Sequence, residues 1–188
     1  SVYKAAGYSV VDSFAYDDIK NFLMQHKPGK LYLAVYTAVL LVVSFFIGFL
    51  IVVLWKEAAT FSQFLEKIFL CLSFSLLGCA IIIPIHEFIH WLAYKNEGAA
   101  DVRFGAIWKS FVFYAAAHNF VADYPSFRRV ALAPFLILLG LLALVFLFPI
   151  PLWGRIAVLF ILFFHLSCCS GDFMMLSYMR RNRTLNLV

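Results

Sequence analysis

Five consecutive residues, His86-Glu87-Phe88-Ile89-His90, bring two imidazoles and a carboxylate together at helical spacing. On a helix, side chains four apart lie one above the other, so both imidazoles can converge on a single metal ion. Glu87 is rotated by about 100° from His86 and can reach a water on that metal without becoming a ligand. This H-E-x-x-H pattern suits zinc-assisted hydrolysis of a peptide bond, with Glu87 as general base. It closes a long apolar run, where an ionisable side chain at mid-bilayer depth costs roughly 2.5–3.5 kcal/mol or more. A chance polar cluster at a helix end is the weaker account.

Catalytic zinc takes three protein ligands and keeps one position open. Beyond the two histidines the candidates are Asp172, His165, His118, Asp123, Asp101, Glu97 and Cys168. Asp172 is the only carboxylate in the last third of the chain. It falls at a depth matching the histidines, and Gly171 beside it lets another backbone approach closely. We therefore expect Asp172 as the third ligand, its alternative being a helix-end charge paired with an arginine. His165 falls seven residues earlier on the same helical face, two turns or roughly 10 Å deeper. It is expected to be a core histidine, or a partner that orients Asp172 or a water. His118 and Asn119 end an extended segment, as donors to a developing oxyanion or as solvated loop residues. His26 is expected to play no part.

These residues need a scaffold, and the composition says which kind. Hydrophobic residues make up 64% of the 188-residue chain and charged ones 13%, with a mean hydropathy of +0.92. A soluble domain of this size has too little interior for that apolar surface, so the surrounding solvent is lipid. The net charge of +5 is scattered beside apolar segments and reads as topology signals and anionic-lipid contacts rather than as a nucleic-acid surface. The four cysteines show no C-x-x-C pattern and suggest packing rather than a disulfide framework. No cleaved signal is evident.

Residues 1–30 read as an N-terminal interfacial segment. Within it, Tyr16, Ile19, Phe22 and Leu23 place a short amphipathic helix over Asp12 to Met24. Residues 31–179 read as one four-helix membrane domain, followed by a basic tail over 180–188. Leu31 to Trp55 carries no charge and is long enough to span. The second span runs from about Phe61 to Tyr94, with Thr60 and Gln63 as a capping box and Pro84 inside it. The third runs from Val130 to about Phe148, and the fourth from near Trp153 to about Met179. Between the second and third, residues 99–129 alternate around Lys109-Ser110 and predict a β-hairpin or an extended loop at the interface. Lysine and arginine divide twelve to three between the two sides, which places both termini, the hairpin and the site on the cytoplasmic side of the cell membrane.

The residues resemble a known family. H-E-x-x-H in one membrane helix, Ala133-Pro134 opening the next and an aspartate in a later one look like the site-2-protease type of intramembrane metalloprotease. The chain is most similar to a small four-helix family, first catalogued as a domain of unknown function and then labelled zincin peptidase. That family carries a Ser-Gly-Asp-like element in its last helix, here Ser170-Gly171-Asp172. The resemblance implies that His86, His90 and Asp172 bind Zn2+ and that Glu87 is the catalytic carboxylate. In site-2 proteases the glycine follows the aspartate, whereas here Gly171 precedes it and Phe173 follows.

The expectation is thus an all-α integral membrane metallopeptidase, acting on a peptide or a membrane-protein substrate. A non-catalytic membrane protein with a structural or regulatory zinc site is the competing reading. Coordination separates the two: three protein ligands and a water favour catalysis, four favour structure.

Overall fold

The computed structural model describes residues 7, 21–22, 25, 28–108 and 112–182. Most of the expected amphipathic helix, the hairpin tip at 109–111 and the tail from 183 onward lie outside the described residues. Phe22, within that expected helix, is buried against Tyr178, ring centroids 5.1 Å apart.

Among the described residues, four helical stretches are long and apolar enough to cross a membrane. Helix α1 (Lys30–Glu57) carries no charge between its terminal residues and the last turn. Helix α2 (Phe61–Asn96) is 36 residues long, or about 54 Å at 1.5 Å per residue, well beyond the ~30 Å hydrocarbon layer. Its start is capped as expected: Thr60 Oγ1 accepts from the Gln63 N–H at 3.2 Å. The reciprocal bond differs, because Gln63 Oε1 accepts from Ala59 rather than from Thr60. Its end is a Schellman turn. Gly98 adopts φ +94°, its N–H bonds the Lys95 carbonyl and the Ala99 N–H bonds the Tyr94 carbonyl, both at 3.0 Å. A left-handed residue is required there, and glycine takes it without strain. Pro84 lies inside α2 without ending it.

The hairpin expectation holds. Strands β1 (Asp101–Ile107) and β2 (Val112–His118) pair antiparallel, from Asp101 opposite His118 to Ile107 opposite Val112. Both strands pack against α2.

Helix α3 (Tyr124–Leu147) begins six residues before the expected Val130. Asp123 caps it by accepting from the Ser126 N–H at 2.8 Å, and Pro125 sits in the first turn. Those two start signals outweigh the polar, basic composition that had suggested loop. Pro134 therefore does not open a helix but lies ten residues inside one. The fourth span is divided: α4 (Leu152–Cys168) and α5 (Ser170–Arg181) meet at a turn on Cys169. Tyr36 of α1 donates its hydroxyl to the Leu166 carbonyl beside that turn at 2.8 Å.

The buried apolar residues form three clusters. Ile47, Leu54, Cys71, Ile156 and Ala157 close one end of the bundle. Ile82, Ile89 and Leu138 lie further along, and Phe127, Ala131, Met175, Tyr178 and Met179 close the other end. Large apolar side chains such as Phe45, Leu76 and Leu147 point outward, as a bundle solvated by lipid requires.

Candidate metal centre

Between the last two clusters the interior turns polar. His86 and His90 are buried on one face of α2, and Asp172 approaches from the first turn of α5. The two Nε2 atoms are 3.1 Å apart. Asp172 Oδ2 stands 3.2 Å from Nε2 of His86, and Oδ1 stands 3.2 Å from Nε2 of His90. Donor atoms on a tetrahedral zinc with bonds of about 2.0–2.1 Å are about 3.3–3.4 Å apart, so the spacing suits such an ion. The hydrogen bonding points the same way. Asp172 Oδ2 is buried and accepts no hydrogen bond despite its proximity to His86, which leaves its lone pairs for a cation.

The orientation of His90 traces to a proline. In an α-helix the carbonyl of residue 130 accepts from the N–H of residue 134, but Pro134 has none. The freed Val130 carbonyl, deep in the bundle, accepts from Nδ1 of His90 at 3.1 Å. A carbonyl only accepts, so Nδ1 carries the proton and the lone pair sits on Nε2, toward His86 and Asp172. Proline in α3 thus sets the tautomer of an imidazole in α2, the role that carbonyl partners play for metal-binding histidines.

Glu87 is half-buried on the neighbouring face of α2 and belongs to neither group of converging donor atoms among the described residues. Its carboxylate lies within electrostatic range of His86, His90 and Asp172 and near the backbone of Ala115 in β2, a strand that packs against α2. The hairpin therefore abuts the base position.

The other sequence candidates are engaged elsewhere. Glu97 accepts from Ser126 Oγ and from Arg129 Nε and Nη2, and those bonds hold its carboxyl down at about 2. Asp101 pairs with Arg103, Asp123 caps α3, and Cys168 is exposed. His118 and Asn119 are exposed at the end of β2, where His118 faces Asp101 across the sheet and Asn119 turns at φ +53°. The structure does not bring either into the triad.

His165 departs from expectation. It is fully buried, but its ring centroid lies only 5.5 Å from that of His86, not some 10 Å below the site. His86 is itself one turn below His90 on α2, so the depth of His165 matches one member of the pair. Cys169, at the turn between α4 and α5, joins them: one donor atom each from His86, His165 and Cys169 lies within 4.8 Å of the others. The sequence assigns Cys169, with the other three cysteines, to packing. Its i,i+4 spacing from His165 was the available signal.

A family model described as Putative zincin peptidase covers residues 79–184, from the middle of α2 through α5, with every residue of the triad inside it. No curated protein and no solved structure matches the chain.

Proposed function

The chain belongs to this zincin peptidase family, and from that premise we propose that it is a zinc-dependent peptidase working within or beside the membrane. The observation that carries the reading is the convergence of His86, His90 and Asp172 from two helices to 3.1–3.2 Å, with a carboxylate one residue away on α2. Zinc held by these three residues would supply Lewis acidity, lowering the pKa of its water and polarising a scissile carbonyl.

The chain's own residues do the rest. The bond from Nδ1 of His90 to Val130 keeps Nε2 unprotonated and fixed in direction. Asp172 brings a carboxylate to a site otherwise made of imidazoles. Glu87 stands where it can take a proton from the attacking water and return it to the leaving amine. The β1–β2 hairpin lies alongside, and an extended peptide added to its edge would be carried past Glu87. Both termini and the hairpin face the cytoplasm in this reading, which rests on the twelve-to-three division of basic residues. Labelling of a tag at Val188 by an impermeant reagent outside intact cells would reverse that orientation.

Glu87→Gln tests the reaction. The variant should keep its metal, because Glu87 is not among the donors, and lose about 10²–10⁴-fold in turnover on peptide or membrane-protein substrates. Unchanged turnover removes Glu87 from the mechanism. Metal retention with no cleavage by the unaltered protein favours the non-catalytic zinc reading.

A further inference from the structure

The pair His165 and Cys169 is not used by the proposed reaction, yet both residues are fully buried. Cys169 Sγ stands 3.6 Å from Nε2 of His165 and 3.9 Å from Nδ1. Sulfur and nitrogen bound to one tetrahedral ion, at about 2.3 Å and about 2.0–2.1 Å, are about 3.5 Å apart. The third donor is His86. Its Nε2 points at His90 and Asp172, while its Nδ1 is buried without any hydrogen-bond partner.

A thiol–imidazole hydrogen bond alone would account for the Cys169–His165 contact. It does not account for the approach of one donor atom from each of His86, His165 and Cys169 to within 4.8 Å of the others, nor for a His86 Nδ1 that is buried with no hydrogen-bond partner. We propose that His86, His165 and Cys169 form a second binding site, for a soft d10 cation such as zinc or cadmium, that shares His86 with the first. The Cys169 thiol releases its proton to solvent as the sulfur–metal bond forms, and with both sites filled His86 also gives up its remaining N–H proton and bridges the two ions as an imidazolate, so loading both sites liberates one proton from Cys169 and one from His86. A mixed sulfur–nitrogen set selects thiophilic ions over magnesium or calcium. Because one imidazole serves both sites, metal bound at the second draws on a ligand of the first.

Cadmium titration of the full chain in detergent tests this, read by thiolate-to-cadmium absorbance in the ultraviolet and by metal per protein after buffer exchange. The unaltered protein should bind two equivalents and develop the thiolate band. Cys169→Ser should bind one equivalent with no band, and Cys168→Ser should behave like the parent. Asp172→Ala should lose the other equivalent and keep the band, which separates failure of this site from failure of the catalytic one. His165→Gln keeps the thiol and should still lose the second equivalent, covering the case in which Cys169→Ser does not fold. A parent that binds one equivalent, a band that survives in Cys169→Ser, or two equivalents in His165→Gln overturns the second site and leaves only a thiol–imidazole hydrogen bond.

Discussion

Two polar clusters tie α2 to the helices that follow it, and they are built on opposite principles. At the end of α2, Glu97 meets Arg129 and Ser126, and both carboxylate oxygens accept from donors of opposite character, a guanidinium and a hydroxyl. Seven and eleven residues earlier, His90 and His86 meet Asp172, and two ring nitrogens and two carboxylate oxygens face one another. A self-satisfied cluster holds a fold and asks for nothing further. Ring nitrogens and carboxylate oxygens gathered at 3.1–3.2 Å are costly to bury on their own, and a cation would complete them. Charge complementarity, rather than burial or polarity, is what separates the structural cluster from the candidate functional one.

That contrast can be broken most severely at Asp172. In a Cys169→Ser background, which removes the second site, Asp172→Ala should lose most bound zinc, an effect larger than the roughly 10–100-fold that hydrogen-bond partners of ligands contribute, while His165→Ala should keep it. Metal analysis of the two purified variants decides it, and the reverse pattern would sink the assignment. A smaller effect is expected one layer out. Pro134→Ala restores an N–H to α3 that competes for the Val130 carbonyl, so zinc affinity measured against a chelator should fall about 10–100-fold. Unchanged affinity would show that the His90 tautomer is set elsewhere.

The smallest effect belongs to the self-satisfied cluster. Glu97→Gln should leave metal content untouched and lower Tm by about 2–4 °C. Its pH dependence has a definite sign. The Glu97 carboxyl is depressed from 4.5 to about 2, so its contribution is complete above about 4.5 and disappears as pH falls toward 2. Acid unfolding of the parent should show that loss and the variant should not. Identical acid profiles would remove the cluster from the stability of the fold.

Much of this was legible in the sequence where a local rule governs. Four spans followed from hydropathy, the hairpin from alternation, and the pairing of His86 with His90 from a spacing of four. Asp172 was reachable through depth matching, because few carboxylates survive in the second half of so apolar a chain. What escaped depended on backbone geometry between segments distant in sequence. The start of α3 was set by the cap at Asp123, which a basic, polar stretch obscured. The role of Pro134 appears only once the Val130 carbonyl is seen beside His90, forty residues away. His165 was misplaced in depth because the position of His86 within α2, not the distance along α4 and α5, decides what it meets.

Pro134 also bears on protein engineering. An interior helix proline costs roughly 3 kcal/mol, so any campaign to improve thermal tolerance would choose alanine there early. A melting assay would score the change as a success. The gain would come from handing Val130 its own helix partner back, and the histidine would lose what the helix recovered. Selection for rigidity and selection for metal retention therefore pull this position in opposite directions, and a screen reading only the first would discard the second unseen.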